Sequence, residues 1–580
     1  MMIRIGNCSG YYGDRFSAMR EMLEGGELDY LTGDYLAELT MLILGRDRMK
    51  DEALGYAKTY VRQMTDSMGL AKELGVKVVT NAGGLNPAGL AAKLREIAEA
   101  QGLQISIAHV EGDDLLERAE ELEFGNVMTA NAYLGAFGIA SALAGGADVV
   151  VTGRVTDASV VVGPAIAHFG WGRDDLDQLA GAVVAGHVIE CGTQATGGNF
   201  SGFEHVDMSA PLGFPIAEIS DDGSVVITKH DNTGGAVTVD TVTAQLVYEV
   251  GGPSYLGPDV STRLDTMTLT QAGPDRVAIT GVLGEAPPAT TKVCLNAFGG
   301  FRNSVEFLLT GLQIPEKAQL IQRQMEIALA GGTVPESVEW DLERTDTPDP
   351  ATQAQGTSLL RCHVRSAQPE PVGRAFSDAA IQLALGSYPG FSVTRPPAAG
   401  TPFGVYRPAY VPQSEVPHIV VAADGSRTEI APPHSGQVPD PRPLDVRAVP
   451  LGDWAAATVR APLGRLAYAR SGDKGGDANV GVWIPADHPA REDAFAWLVN
   501  FLDETTIREL LRETAMLDIE IHPLPNLAAV NIVIHGLLGE GVASSTRLDP
   551  QAKGVGEWLR ARDCAIPTML LPDTIAEAAL

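Results

Sequence analysis

The chain has 580 residues, of which 45% are hydrophobic, and Asp and Glu outnumber Lys and Arg by 73 to 42, which gives a net charge of −31. This length and composition predict about two to four domains with sizeable cores. The acidity excludes nucleic acid as an expected partner, because phosphate binding needs an excess of cations. Any anionic substrate must be held by locally placed cations or backbone N–H groups.

Neither the cysteines nor the apolar runs indicate export or a membrane. The cysteines lie far apart and none forms a C-x-x-C pair, which favours reduced thiols over a zinc site or disulfides. The N-terminal sequence MMIRIGNCSG lacks the apolar core and cleavage site of a signal peptide. No apolar run approaches the length of a bilayer span. We therefore expect a cytoplasmic protein with no membrane partner.

Residues 1–210 alternate between strand and helix patterns. The predicted strands are Ile3–Ile5, Val76–Thr80, Ile105–Val110 and Ala147–Thr152, and the predicted helices are about Asp51–Leu74, Ala88–Ala100 and Tyr133–Ala144. Largely apolar strands separated by helices predict an α/β fold whose parallel sheet is covered on both faces. Right-handed crossovers are expected to join these strands.

Residues 211–430 read as an α+β continuation of the same domain. The predicted strands there are Val225–Lys229, Val237–Val239, Val242–Val250 and Arg276–Leu283, and the predicted helices are Ser304–Leu312 and Glu316–Ala330. The proline-rich stretch 431–455 predicts a linker.

Residues 456–570 predict a small two-layer α/β sandwich. Its predicted strands are Leu463–Tyr468, Val480–Ile484, Asp518–His522 and Ala528–Ile534, and its predicted helices are Pro489–Phe501, Thr505–Leu511 and Gln551–Arg560.

Two glycine-containing loops follow predicted strands of the parallel sheet, where ligands bind in such folds. The first offers Asn7, Ser9 and Tyr11, but it is not G-x-G-x-x-G, so it does not indicate a nicotinamide cofactor. The second, NAGGLNP, offers Asn81 together with two glycines, Gly83 and Gly84, ahead of a helix N-terminus suited to a phosphate or carboxylate. For both loops, a simple turn at the end of a strand is an equally good interpretation.

The loop TGRVTDAS carries charges directly after a buried strand. Arg154 can neutralise a substrate carboxylate or phosphate, and Asp157 is a candidate base. The alternative is that these two residues form an ion pair that only fixes the loop.

The segment from His187 to Phe200 is a further polar cluster. His187 suits acid–base catalysis because imidazole titrates near neutral pH. Cys191 is either a nucleophile or, as is more usual for such a cysteine, a small buried apolar residue. The run TQATGGN indicates a ligand-contacting loop, with Thr196 and Asn199 as candidate binding residues.

The densest polar stretch is Ala469–Asn479, ARSGDKGGDAN. We interpret it as a loop that presents Asp473 and Lys474 as catalytic residues and Asn479 as a binding residue, with glycines that allow an anion-binding nest. A hairpin turn is the alternative. The length argues against it, because hairpin loops need only about two to five residues. No motif with metal-ligand spacing occurs, so we expect no metal site; a site assembled from distant loops is the alternative.

Six segments together resemble the acyclic terpene utilisation AtuA-like family. They are IGNCSGYYGDR, LTGDYLAELTM, VTNAGGLNP, VVTGRVTDAS, ECGTQATGGNF and ARSGDKGGDANVG, and they are spread over most of the chain. The resemblance implies a large N-terminal domain and a small C-terminal domain with a ferredoxin-like fold. It also implies association with the degradation of acyclic terpenes and branched acids through acyl-CoA esters.

These observations lead to one favoured function and two alternatives. We expect a catabolic enzyme of lyase or hydratase type that acts on a branched acyl-CoA, with the CoA moiety as part of the substrate and no separate cofactor. The alternatives are an enzyme on a free organic acid and a non-catalytic subunit of the pathway. A homo-oligomer is expected on general grounds.

Overall fold

The computed structural model describes residues 2–433 and 457–571. The chain divides into two compact units. The first contains Met1–Asn296, Tyr406–Val542 and Asp549–Leu580, and the second contains Ala297–Val405 and Ala543–Leu548. Most of the predicted linker, from residue 434 onward, lies outside the described residues.

The first unit begins with alternating strands and helices, as predicted. They are β1 (Met2–Asn7), α1 (Ala18–Glu24), β2 (Tyr30–Gly33), α2 (Glu38–Lys50), α3 (Lys58–Leu74), β3 (Lys77–Thr80), α4 (Pro87–Ala100), β4 (Ile107–Glu111), β5 (Thr129–Ala132), α5 (Phe137–Ala144), β6 (Val149–Thr152), α6 (Ser159–Phe169) and α7 (Leu176–Ile189). Strands β1, β2, β3, β6 and β4 pair side by side in parallel. The parallel sheet predicted from the apolar strands is confirmed.

Antiparallel strands then extend this sheet. The elements are β7 (Pro215–Ser220), β8 (Val225–Lys229), α8 (Val239–Leu246), β9 (Ser254–Leu256), β10 (Ser261–Arg263), β11 (Thr268–Gly273), β12 (Arg276–Thr280) and β13 (Leu283–Glu285). Strand β7 pairs with β1, and β8, β12 and β11 follow outward. Strands β9, β10 and β13 form a separate small sheet.

The second unit is built on four strands, in the order β15-β16-β14-β17, of a five-stranded sheet whose fifth strand, β5, pairs with the start of β14. Its elements, two of which run into the first unit, are β14 (Thr290–Thr310), α9 (Ile314–Ala330), β15 (Ser337–Glu343), β16 (Thr357–Ser366), α10 (Arg374–Ile381) and β17 (Thr401–Pro412). Its apolar core joins alternate residues of β14 and β16 to one side of α9 and α10.

The last segments return to the first unit. They are β18 (Ile419–Val421), β19 (Arg427–Glu429), β20 (Thr458–Pro462), β21 (Tyr468–Lys474), β22 (Asp477–Trp483), α11 (Arg491–Phe501), α12 (Glu504–Leu510), β23 (Ile519–Leu524), β24 (Ala529–Ile534), α13 (Val555–Arg560) and β25 (Asp563–Pro567). Strand β18 joins the large sheet beside β4. The C-terminal module has an antiparallel sheet in the order β21-β22-β24-β23 and its own apolar core.

Three sequence-based element predictions were wrong: two predicted strands are mostly helix, and one predicted helix is strand. The predicted strands Val237–Val239 and Val242–Val250 are mostly replaced by helix α8, which starts at a capping box between Thr238 and Thr241. The predicted helix Ser304–Leu312 is the end of strand β14, whose residues alternate between the core and the opposite face.

Several boundaries also differ from the prediction. The predicted strand Leu463–Tyr468 begins with a 3-10 helix at Leu463–Arg465, and β21 starts only at Tyr468. The helix predicted from Tyr133 begins at Phe137. The helix predicted from Asp51 begins at Lys58, after a turn.

Ala469–Asn479 is not a loop but a β-hairpin, in which only Gly475 and Gly476 connect β21 to β22. The stretch was judged too long for a hairpin turn. That argument failed because polar residues can also occupy positions within a strand when the strand faces another polar surface. Helices α1 and α2 and strand β2 were not predicted.

Candidate functional site

The carboxyl ends of the parallel strands place polar side chains at one edge of the sheet. Asn81, after β3, accepts the Tyr35 amide at 2.8 Å through Oδ1 and donates to Asp34 at 2.6 Å through Nδ2. Asn7, at the end of β1, donates to the carbonyl oxygens of Ile189 and Glu190 at 2.7 and 2.9 Å. These amides hold the edge of the sheet together and fix the end of α7 against it.

A buried ion pair follows β6. Arg154 is 2% exposed, its Nη1 lies 2.9 Å from Asp157 Oδ1, and its guanidinium stacks over the Tyr133 ring at 4.2 Å. Burial and the Glu38 charge raise the pKa of Asp157, and together they outweigh the neighbouring Arg154 charge. The pair therefore fixes the loop, as the alternative interpretation held, and it also points a weakly acidic carboxyl group into the site.

Residues from the start of α2 and from β14 add a second charged pair. Lys292 Nζ lies 3.2 Å from Glu38 Oε1, and Tyr133 donates its hydroxyl to the same oxygen at 3.2 Å. The Lys292 and Arg154 charges overcome the effect of burial and lower the pKa of Glu38 to about 2. The rings of Tyr133 and Tyr406 face the ammonium at 5.0 and 5.5 Å.

The C-terminal end of α7 brings His187 and Glu190 into the site. His187 Nδ1 lies 3.3 Å from Glu190 Oε1, and its ring centroid is 5.0 Å from that of Tyr255. Burial lowers the pKa of His187 to about 4, so the imidazole is neutral at pH 7. Burial and the nearby Asp157 charge raise the pKa of Glu190 well above its usual range. Burial does the same for the thiol pKa of Cys191, which argues against a thiolate nucleophile.

Glu249, three residues beyond α8, is held in an unusual backbone conformation. Its φ is +58°, in the left-handed region that non-glycine residues rarely occupy. Two fully buried asparagines of the C-terminal module hold this segment. Asn479 accepts the Glu249 amide at 2.7 Å, and both Asn479 and Asn531 donate to the Val250 carbonyl, at 3.2 and 3.0 Å. Strained residues held in this way concentrate at functional sites.

The hairpin β21–β22 contributes the remaining cations. Lys474 Nζ donates to the Glu249 carbonyl at 2.9 Å. Arg470, on the same face of β21, stacks over Tyr248 at 4.3 Å and donates to the Asn199 carbonyl at 2.9 Å. Among the described residues, Arg470 Nε and Nη2 are buried without a hydrogen-bond partner, as is Arg154 Nε. Such buried donors mark a place where a ligand or water belongs.

The charged groups of the site are open to water at Lys474 and Asp157. The Lys474 side chain is exposed, yet it lies deep among protein atoms. Burial and the neighbouring Lys292 charge lower its pKa. Burial and the Glu249 charge raise the pKa of Asp473 to about 8, and burial also raises the pKa of Glu249. The lysine therefore holds its proton less firmly than in water and the carboxyl groups hold theirs more firmly, which brings both kinds of group closer to titrating at neutral pH and suits proton transfer.

The structure brings the four predicted catalytic residues into one electrostatic cluster. The charges of Lys474 and Asp157 act on His187, the charge of Asp157 acts on Lys474, and Asp473 lies near Glu249, which is also close to Lys474. Their roles remain predictions.

The predicted binding residues are placed less uniformly. Tyr11 is 60% exposed, and the Ser9 hydroxyl donates to its carbonyl at 3.0 Å. A Cβ on Gly83 would lie 2.4 Å from the Thr152 carbonyl oxygen, and Gly84 has a φ of +54°, so close packing and a turn account for both glycines. The Thr196 hydroxyl donates to two carbonyls, at 3.0 and 2.7 Å.

Four charged residues of the site were missed from the sequence: Glu38, Glu190, Glu249 and Lys292. Glu249 and Lys292 are single charges inside apolar runs, LVYEVGG and TTKVC, and this isolation is the signal that marks them. Glu190 lay next to predicted residues and was passed over. Tertiary packing, not local sequence, brings these residues together.

Neither a metal centre nor a membrane span is found in residues 2–433 and 457–571. No three His, Cys, Asp or Glu side chains there are grouped so that they can hold a metal ion. No helix in the same residues combines the length and apolar character needed to cross a bilayer.

Comparison with known proteins gives matches to two family models. The model described as "Acyclic terpene utilisation family protein AtuA" matches residues 3–422, and the model described as "AtuA ferredoxin-like domain" matches residues 461–564. The second match covers most of the C-terminal module and agrees with the ferredoxin-like fold expected for it. No curated protein and no solved structure matches the chain.

Proposed function

Because the chain belongs to the acyclic terpene utilisation AtuA family, we propose that it is an enzyme that moves protons on a branched acyl-CoA thioester, in a lyase or hydratase type of reaction. The supporting observation is the group of carboxyl groups with raised pKa around Lys474, which is exposed to water. Reactions of this type add or remove a proton beside a carbonyl group, and they need a positioned base.

Asp157 is the favoured base in this proposal. Its side chain is 24% exposed, so a substrate can reach it, and the 2.9 Å contact with Arg154 fixes its direction. Its raised pKa brings the carboxyl closer to the working pH, where a base is most efficient. Asp473 has a similar pKa shift and is the second candidate. The neutral imidazole of His187 then accepts a proton in this proposal and later returns it.

Lys474 is the favoured electrophilic group. Its ammonium can donate a hydrogen bond to a thioester oxygen as negative charge develops there, which stabilises the transition state. The contact between Nζ and the Glu249 carbonyl sets the position of this donor. Glu249, held by Asn479 and Asn531, therefore acts as a positioning residue for Lys474.

The charge of the site supports a second candidate function, an enzyme on a free branched acid. The cluster contains six carboxyl groups, those of Asp34, Glu38, Asp157, Glu190, Glu249 and Asp473. It contains four cations, Arg154, Lys292, Arg470 and Lys474. A free acid brings one negative charge into this field, whereas the CoA moiety brings several.

A thermal-shift series separates these candidates. The full chain is melted with 3-methylbutanoyl-CoA, with 3-methylbutanoate and with CoA alone. Stabilisation by the thioester beyond that by CoA supports the first candidate, and stabilisation by the free acid alone supports the second. If none of the three ligands raises the melting temperature, both enzymatic proposals lose their support and the non-catalytic alternative gains it.

Variants then test the roles of the residues. Asp157→Asn and Lys474→Met are expected to lower kcat/KM by about 100-fold or more, the range for loss of a general base or an oxyanion donor. Glu73→Gln and Lys50→Met serve as matched controls, because both side chains are exposed at the ends of α3 and α2. Full activity in both site variants, with normal folding, would show that the site is assigned wrongly.

A further inference from the structure

The buried guanidinium of Arg470 has an edge without a partner. Arg470 is 5% exposed, its Nη1 donates to the Asn199 carbonyl at 2.9 Å, and its plane stacks over the Tyr248 ring at 4.3 Å. Among the described residues, Nε and Nη2 have no hydrogen-bond partner, and no carboxylate forms an ion pair with Arg470. These two nitrogens belong to one edge of the planar guanidinium, so the whole edge is unused.

The same edge of other arginines in this chain binds a carboxylate. In Arg263, Nε and Nη2 donate to the two oxygens of Asp265 at 2.9 and 2.6 Å. In Arg344, they donate to the two oxygens of Asp346 at 2.7 and 2.9 Å. Arg263 is half-buried and Arg344 is exposed, so water shares in the solvation of both. Arg470 is the most buried of the three, and it is the one without a counter-ion.

Three carboxyl groups of the chain could serve as that counter-ion, because their charges and the Arg470 charge act on the same thiol, that of Cys191. They are Glu249, Glu190 and Asp34. Within the described residues none of them forms an ion pair with Arg470, and burial raises the pKa of each, which favours the neutral form. A buried guanidinium without a counter-ion is costly, so the arrangement points to an anion that comes from outside the chain.

The neighbours of Arg470 border on solvent. Asn199, whose carbonyl accepts the Arg470 hydrogen bond, is exposed. Lys474 is also exposed and lies on the same face of β21, since strand residues an even number apart share a face. Residues i and i+4 of a strand have their Cα atoms about 13 Å apart, and both of these side chains are long. One ligand can therefore contact both cations.

We propose that Arg470 binds a carboxylate of the substrate through Nε and Nη2, in the forked geometry that Arg263 and Arg344 show. The inference rests on the proposed function and narrows it: the thioester is the mono-CoA ester of a branched dicarboxylic acid. Lys474 then faces the thioester oxygen, and Arg470 faces the free carboxylate. In the second candidate function, the same edge binds the carboxylate of the free acid.

Isothermal titration of the full chain with a matched pair of thioesters tests the inference. 3-Methylglutaryl-CoA and 3-methylpentanoyl-CoA differ only in that the first has a carboxylate where the second has a methyl group. We expect the wild type to bind the first about tenfold more tightly or better, the effect of hydrogen bonds between charged groups. Arg470→Gln is expected to abolish this preference. Arg470→Lys is expected to lose most of it, because an ammonium keeps the charge but not the fork.

Arg460→Gln is the matched control, because this arginine of β20 is exposed and donates to the Asp563 carbonyl at 3.1 Å. It is expected to keep the wild-type preference. The inference is overturned if the wild type binds the two thioesters equally, a result that needs no variant to fold. It is also overturned if Arg470→Gln keeps the preference or if Arg460→Gln loses it.

Failure of the proposed function has a different signature, in which neither thioester binds more tightly than CoA alone. Free 3-methylglutarate is then titrated. If it binds to the wild type and about tenfold more weakly to Arg470→Gln, the carboxylate site at Arg470 is supported although the thioester is not. If it does not bind, or binds equally to both proteins, the carboxylate site is overturned as well.

Discussion

The strand-end loops of the parallel sheet and the C-terminal hairpin are equally polar in sequence, but they use their polar groups differently. The loops mostly bond within their own domain, as Asn81 does with Asp34 and Tyr35. The hairpin bonds across to a distant part of the chain, as Asn479 and Lys474 do with Glu249. Polarity in the loops therefore builds the frame of the site, and polarity in the hairpin attaches the module that completes it.

The same difference appears in the glycines. Gly83 and Gly84 allow close packing inside the N-terminal part. Gly472 and Gly481 allow the hairpin to approach it, because a Cβ on either would lie 2.3 or 2.2 Å from side-chain atoms of Tyr248 or Val247. A glycine-rich polar segment thus indicates close approach of the backbone, but not by itself a ligand.

Removal of Arg154 is expected to have the largest effect on the frame. Arg154→Met leaves Asp157 without its partner inside the protein, which costs about 4 kcal/mol of unfolding free energy for a buried pair. Urea denaturation measures the change. Arg20→Met is the control, because its pair with Glu24 at 3.0 Å is exposed and contributes less than about 1 kcal/mol. If both variants lost the same free energy of unfolding, Arg154 would not have the structural role that we assign to it.

A pair of asparagine variants compares the two regions directly. Asn479→Ala leaves the Glu249 amide without its partner and weakens the bonding of the Val250 carbonyl, which is expected to cost about 2 to 3 kcal/mol. Asn86→Ala removes the N-cap of α4, where Oδ1 accepts the Gly89 amide at 2.8 Å, and is expected to cost about 1 kcal/mol.

Activity separates these two variants more sharply than stability does. Asn479→Ala is expected to lower turnover as well, because Glu249 positions Lys474, whereas Asn86→Ala should leave turnover unchanged. If Asn479→Ala lost stability but kept full turnover, the hairpin would serve only as a structural attachment.

Sequence reasoning succeeded where the residues that define a feature lie next to one another in the chain. The apolar strands predicted the parallel sheet, and Arg154 and Asp157 were singled out because they directly follow such a strand. It failed for Glu249 and Lys292, since their partners are distant in sequence. It also mistook the hairpin for a loop, because nothing local shows that strand β21 faces the polar segment at Glu249 and Val250.

Gly475 gives a test of the hairpin turn. Its φ is +67°, and a Cβ there would lie 2.7 Å from the Tyr406 ring, so Gly475→Ala combines backbone strain with a clash and is expected to cost about 2 kcal/mol. Gly75→Ala, at a φ of +71° with open space around it, isolates the strain alone, at about 1 kcal/mol. Thermal unfolding compares them, and a smaller loss at Gly475 than at Gly75 would contradict the close contact with Tyr406.

The smallest expected effect concerns the pH dependence of stability, and it depends on Asp473. Because the pKa of this carboxyl is raised to about 8 in the folded state, the folded protein binds a proton that the unfolded chain has already released above about pH 4. Stability contributed by this group is therefore lost as the pH rises toward 8. Asp473→Asn removes this loss. Between pH 5 and pH 8, the free energy of unfolding of the variant is therefore expected to rise by about 1 kcal/mol relative to that of the wild type. The expected difference is smaller than the full pKa shift would give, because water reaches the site.

The control for this measurement is Asp207→Asn. The pKa of Asp207 lies below its usual value because Ser209 donates hydrogen bonds to it, so this carboxyl titrates below pH 5 and its removal should not change the slope between pH 5 and pH 8. Denaturation midpoints at the two pH values give the comparison. If the stability of the wild type and that of Asp473→Asn changed equally with pH, the hairpin would not place Asp473 among the carboxylates of the site. The hairpin would then differ from the strand-end loops only in its hydrogen-bond partners.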